Sequence, residues 1–102
     1  MLTDVNLKNF DQTIKEGVSV VDFYADWCGP CKMLGPILES FSKKREDIKI
    51  IKIDVDKEEE LAQRYQVMSI PTLILFKDGE LISLRQGFMT EDMITEWLKE
   101  TE

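Results

Sequence analysis

Cys28 and Cys31 stand two residues apart in the segment ADWCGPCK (25–32), and the 102-residue chain has no other cysteine and no histidine. Such a pair can staple a small loop, supply half of a metal site, or cycle as a redox dithiol. The staple is weak. A disulfide stabilises mainly by closing a loop in the unfolded chain, and closing about four residues is worth only about 2 kcal/mol, against about 3 for fifteen. Cytoplasmic thiols are also kept reduced. Structural zinc wants four ligands, usually Cys and His, so no metal is expected. A dithiol needs one thiol activated as a thiolate and a second within reach, and a helix start supplies both. Cys28 at the N-terminus of a helix would meet unpaired N–H groups and the positive end of the dipole, which lower a thiol's pKa. Cys31, one turn on, lies on the same side of the helix. Pro30 suits the first turn, where its missing N–H has no partner to lose, and Gly29 keeps the approach to the sulfur open. A Cys-x-x-Cys beside a strand–helix–strand pattern is the redox arrangement.

The flanking elements place that motif. VSVVDFYA (18–25) is apolar at both parities and predicts a strand buried on both faces. Leu34, Ile37, Leu38 and Phe41 recur at helical spacing after the cysteines, with Pro36 expected to kink the helix. IKIIKIDV (48–55) predicts a second buried strand. Asp56 is expected to cap a third helix, with Glu59 completing a capping box and Leu61, Ala62 and Tyr65 on its inner face. TLILFKDGELISLRQ (72–86) predicts a hairpin turning at Asp78-Gly79. Upstream, Asn6 is expected to cap a first helix carrying Leu7, Phe10 and Ile14 and stopped by Gly17. Downstream, Thr90 is expected to cap a last one with Met93, Ile94, Trp97 and Leu98 inward. The fold class is therefore α/β: a mixed sheet, parallel in its first half and closed by an antiparallel hairpin, flanked by four helices. The methionines Met33, Met68, Met89 and Met93 are expected to fill gaps in the core.

Other residues admit two readings each. Asp22 is the anomaly of its strand, sharing a face with Val18, Val20 and Tyr24. It is either a buried carboxyl of raised pKa, able to take a proton from Cys31, or a partly exposed residue at a strand end. Lys52 and Pro71 take their second readings only from the resemblance given below: by themselves Lys52, on the neighbouring strand, reads as a snorkelling surface lysine and Pro71 as an ordinary strand-start proline. Trp27 is either an exposed anchor for a protein partner or a core aromatic, whereas Trp97, in a helical stripe, reads as core.

VVDFYADWCGPCK, SIPTLILFKDGE and QGF, in that order and spacing, resemble the signature segments of the thioredoxin family over essentially the whole chain. The resemblance implies the thioredoxin fold, as a single domain over residues 1–102, and a reductase of protein disulfides. Cys28 would attack, and a reversible Cys28–Cys31 disulfide would form when Cys31 resolves the mixed disulfide. Asp22 would serve as proton acceptor with Lys52 near it, and a cis Pro71 would follow an Ile70 whose backbone pairs with an extended substrate segment. Trp27, Gly29, Pro30, Ile70, Pro71 and Gly87 would form the docking surface. The implied partners are diverse disulfide-containing proteins and the flavoenzyme thioredoxin reductase, which passes on electrons from NADPH. The chain has no G-x-G-x-x-G with which to bind the nicotinamide itself, so no bound cofactor is expected. Tyr24, Asp26, Gln86, Met68 and Ser69 depart from the commonest family pattern without touching the chemistry.

Charge narrows the partners further. A net charge of −7 argues against nucleic acid and against anionic membranes, both of which reward Lys and Arg. No apolar run approaches the roughly 20 residues of a membrane span, and the first ten residues lack a signal-peptide pattern. A cytoplasmic monomer is the expectation. Two other classes compete: a binding subunit that uses the fold as a rigid scaffold, and a disulfide oxidase or isomerase domain. An altered Cys-x-x-Cys would favour the first and a histidine before the second cysteine the other; Pro30 stands there instead.

Overall fold

A computed structural model describes residues 2–102, with side chains from residue 5 onward. The elements run β1 (Leu2–Asp4), α1 (Phe10–Ile14), β2 (Val18–Tyr24), α2 (Gly29–Lys44), β3 (Ile48–Asp54), α3 (Glu59–Arg64), β4 (Thr72–Lys77), β5 (Glu80–Gln86) and α4 (Glu91–Trp97), which runs into a 3-10 turn at Leu98–Thr101. The sheet order is β1-β3-β2-β4-β5. β3 is parallel to both β1 and β2, while β4 is antiparallel to β2 and β5. The mixed sheet with four helices is as the sequence implies. β1 is an addition: three residues are too few to show a period, and they become a strand by pairing with the edge of β3.

β2 lies at the centre, so its alternate residues enter two cores. Val20, with Ile50, Leu73 and Leu75, packs under α2 and α4. Val21 and Phe23, with Ile51, Ile53, Ile74 and Phe76, pack under α1 and α3. On that second face Phe10 and Tyr65 meet Phe76 edge-on at 5.9 and 5.6 Å between ring centroids, a favoured aromatic geometry. Asp78 and Gly79 both take positive φ in the β4–β5 turn, as a two-residue hairpin loop requires.

Several local expectations need correction. α1 begins at Phe10 after Asn9, not at an Asn6 cap. Asn6 instead turns the chain, its Oδ1 accepting from the N–H groups of Lys8 and Asn9, and Leu7 is left exposed. Asp56 caps nothing; α3 starts after Glu58 without a side-chain cap. Of the four methionines only Met89 is buried, while Met33, Met68 and Met93 are exposed. Met33 lies off the buried stripe of α2 (Cys31, Leu34, Leu38, Phe41). Met68 lies in the loop before β4, and Met93 turns its sulfur back toward the Thr90 N–H at 3.5 Å. Thr90 does cap α4, its Oγ1 accepting from the Met93 N–H at 3.2 Å. Removing an N-cap hydroxyl typically costs about 1 kcal/mol. Thr90→Ala should therefore lower the unfolding free energy by about that amount in urea titrations; an unchanged midpoint would mean the cap carries no weight.

Candidate active site

β2 leaves the sheet at Tyr24, and the chain turns sharply, the Cys28 N–H donating to Ala25 O at 3.2 Å. Cys28 is the N-cap of α2. Its backbone is extended, and its sulfur accepts the N–H of Cys31 at 3.2 Å. The cap position, usually held by an oxygen, is here held by sulfur. Residue 30, also in the first turn, would carry another unpaired N–H, and Pro30 has none. Cys28 and Cys31 are joined as a disulfide with their Cα atoms 5.3 Å apart. Both are 4% exposed and sit in a small apolar cluster with Ala25, lined by Tyr24, Val55 and Ile70.

The Ile70–Pro71 bond is cis. The carbonyl of Ile70 lies 3.9 Å from Cys28 Sγ, so the loop before β4 flanks the disulfide. Gly87, at φ +90, donates its N–H to Pro71 O at 2.8 Å, which ties the end of β5 to the same loop. Trp27 is 70% exposed. Its indole Nε1 donates to Asp56 Oδ2 at 2.9 Å, and Asp56 in turn donates its N–H to Asp54 Oδ1 at 2.9 Å. Trp27 is thus at the surface and not in the core, and the carboxylate expected to cap α3 accepts from its indole instead. A Cβ built on Gly29 would meet nothing within 4 Å, so that side of the disulfide is open.

Asp22 is fully buried on β2, and among the described residues no group donates a hydrogen bond to either carboxyl oxygen. Its register partners are Lys52 on β3 and Leu73 on β4. Burial pushes its carboxyl up to about 7 from the ordinary 3.8, and the Lys52 charge partly opposes that rise. Of its two readings the buried carboxyl is the one observed. Lys52 is half-buried and places its ammonium 4.6 Å from the centroid of the Tyr24 ring. Together with Cys31 these two side chains line a cleft of about 350 Å³ that also touches Asp26, Lys32 and Glu39. The sequence reading passed over Tyr24 as a family variation and Asp56 as a cap. For Tyr24 a signal was present, since it has the parity of Asp22 and projects to the same face. For Asp56 there was none, because its contact with Trp27 joins residues 29 apart. Among the described residues no three Cys, His, Asp or Glu side chains are grouped as metal ligands, and no helix is long and apolar enough to cross a membrane.

A three-layer α/β fold with a Cys-x-x-Cys disulfide at a helix N-terminus and a cis-proline loop against it defines a class of thiol–disulfide oxidoreductases. The thioredoxin family model matches residues 1–100. Thioredoxin of Bacillus subtilis is 47% identical over 90 residues, covering 87% of this chain and 86% of its own. That of Staphylococcus haemolyticus is 45% identical over 98 residues, covering 95% and 94%. One chain of a solved structure concerning the thiol resolving mechanism of yeast mitochondrial 1-Cys peroxiredoxin via glutathione/thioredoxin systems superposes with a TM-score of 0.88. It is 36% identical and covers 97% of this chain and 94% of its own. The chain belongs to the thioredoxin family and is a thiol–disulfide oxidoreductase of the protein-disulfide reductase kind.

The buried carboxyl has a sign that can be read from stability. In the folded protein Asp22 holds its proton to about pH 7, in the unfolded chain only to about 3.8. Between those values the folded state binds more protons, so Asp22 makes stability fall as pH rises, and the loss is complete above about 7. The gap corresponds to about 4 kcal/mol. Subtracting urea unfolding curves of Asp22→Asn from wild type, both oxidised, should give a difference that grows from pH 4 to pH 8 in favour of the variant. A difference that is flat with pH would show that Asp22 is not held protonated by the fold.

Proposed function

We propose that Cys28 is the attacking thiol and Cys31 the resolving one. The arrangement that carries this reading is the sulfur of Cys28 at the helix cap, where an N–H and the dipole favour its negative charge. In the reduced protein the Cys28 thiolate attacks a disulfide of a protein substrate. A Cys28–substrate disulfide forms and one substrate sulfur leaves as a thiolate, taking a proton from water. Cys31 then attacks Cys28, the second substrate sulfur leaves, and the Cys28–Cys31 disulfide remains; two electrons have passed to the substrate. Asp22 accepts the proton of Cys31 in that second step, its raised pKa matching a thiol at neutral pH, and Lys52 tunes it.

Trp27, Gly29, Pro30, Ile70, Pro71 and Gly87 form the surface on which substrate docks. The backbone of Ile70 pairs with an extended segment of the substrate, as suits a carbonyl that already flanks the reactive sulfur. A flavoenzyme thioredoxin reductase returns the pair to the dithiol with electrons from NADPH. The chain works as a single domain and a monomer in the cytoplasm on a range of disulfide-containing proteins.

Reduction of a model protein disulfide, with dithiothreitol or a thioredoxin reductase as donor, should be lost in Cys28→Ser; equal activity in variant and wild type would overturn the scheme. Cys31→Ser should accumulate mixed disulfides on Cys28 that denaturing gels resolve and a reductant releases. A positioned base is typically worth about 10²–10⁴-fold, and water can replace part of it. Asp22→Asn should therefore slow resolution of the mixed disulfide at pH 7 by at least about tenfold. An unchanged resolution rate would remove Asp22 from the reaction.

A further inference from the structure

A lysine beside a buried carboxyl usually pairs with it directly, yet neither oxygen of Asp22 accepts a hydrogen bond. The ammonium of Lys52 is held elsewhere. Asp22, Tyr24 and Lys52 project from one face of the sheet, since Asp22 and Lys52 are partners in register and Tyr24 follows Asp22 by two residues. The Lys52 Nζ lies over the Tyr24 ring. On the α2 side the ammonium is backed by Gly35, where a Cβ would already stand 3.6 Å from Nζ. A larger side chain there would compete with the ammonium for the same space. An aromatic face attracts a cation by its quadrupole, more strongly where water is excluded, and that attraction selects among the rotamers of a half-buried lysine.

We propose that Tyr24 is a positioning residue: its ring clamps the Lys52 ammonium in the gap left by Gly35, at a fixed offset from Asp22, and so sets the pH at which Asp22 exchanges its proton. A direct ion pair would hold the carboxylate ionised and spoil it as an acceptor that must also give the proton back. A lysine free to swing into solvent would leave the carboxyl protonated. The clamp holds the charge between these extremes. The other charges around the cleft are Lys32 and Glu39 on α2 and Asp26 in the loop after β2, and Leu73, the partner from β4, is apolar. Asp54 on β3 stands opposite Tyr24 in register and accepts the Asp56 N–H; Asp4 on β1 stands opposite Lys52 in register and is the charge the test below controls for. Burial raises the carboxyl and Lys52 is the charge that opposes it, as the clamp requires.

The inference rests on the proton-acceptor reading of Asp22, but its test does not. Carbon-detected NMR of the oxidised protein reads the Asp22 carboxyl titration without any substrate. In Tyr24→Leu the midpoint should rise by roughly 0.5–1 pH unit, part of the 1–3 units that a nearby opposite charge commands. Tyr24→Phe, which keeps the ring, should restore the wild-type midpoint. Lys52→Met should raise it at least as far, and Tyr24→Leu added to Lys52→Met should move it no further. The same pattern should hold in an Asp4→Asn background. Tyr24→Met is a second ring-free variant if Tyr24→Leu does not fold. An unchanged or lowered midpoint without the ring, or a rise that persists when Lys52 is already gone, overturns the clamp. If instead the clamp holds while Asp22→Asn resolves mixed disulfides at the wild-type rate, the proton role fails and the clamp stands.

Discussion

A helix cannot begin without leaving N–H groups unpaired, and here one of them, that of Cys31, is met by sulfur. Because Cys28 caps α2 and accepts the N–H of Cys31, one hydrogen bond ties both sulfur-bearing residues to the start of the helix. The rest of the molecule serves to hold that helix start still. β2 delivers the chain to it from the centre of the sheet, α2 is pinned by Leu34, Leu38 and Phe41 on the upper core, and the loop before β4 closes against the sulfur through Ile70.

The central position of β2 has an energetic side. A strand buried on both faces has no polar surroundings in which to hide a carboxyl, and Asp22 sits there without a single protein donor. Desolvation therefore destabilises the ionised form and delivers a group titrating near neutrality. The opposite face buries no carboxyl on β2, only the hydroxyl of Ser19, which likewise has no partner among the described residues. Phe10, Phe23, Tyr65 and Phe76 cluster there with Ile51, Ile53 and Ile74, and that apolar layer can offset the strain on the reactive face. Function and stability are divided between the two sides of one sheet.

Much of this was legible in the sequence because it is local. The strand at 18–24, the helix after the cysteines, the hairpin turn and the Thr90 cap each depend on residues a few positions apart. Asp22 was legible as a misfit within its own strand. What failed was longer in range or finer in geometry. The three residues of β1 carry no period and gain their structure from β3. The methionines look alike in composition, yet Met33 lies off the buried stripe of α2 and Met68 in an exposed loop. Asp56 has the spacing of a cap, and only the folded chain reveals the indole that takes it. Tyr24 and Lys52 become partners because two strands align in register, which no single segment records.

The empty space beside Gly29 has its own consequence. A Cβ at that position would meet nothing within 4 Å. Gly29, one of the two residues between the cysteines, therefore sits where the fold asks nothing of a side chain, and a substituent there would meet a molecule approaching the disulfide from outside before it met the protein's own core.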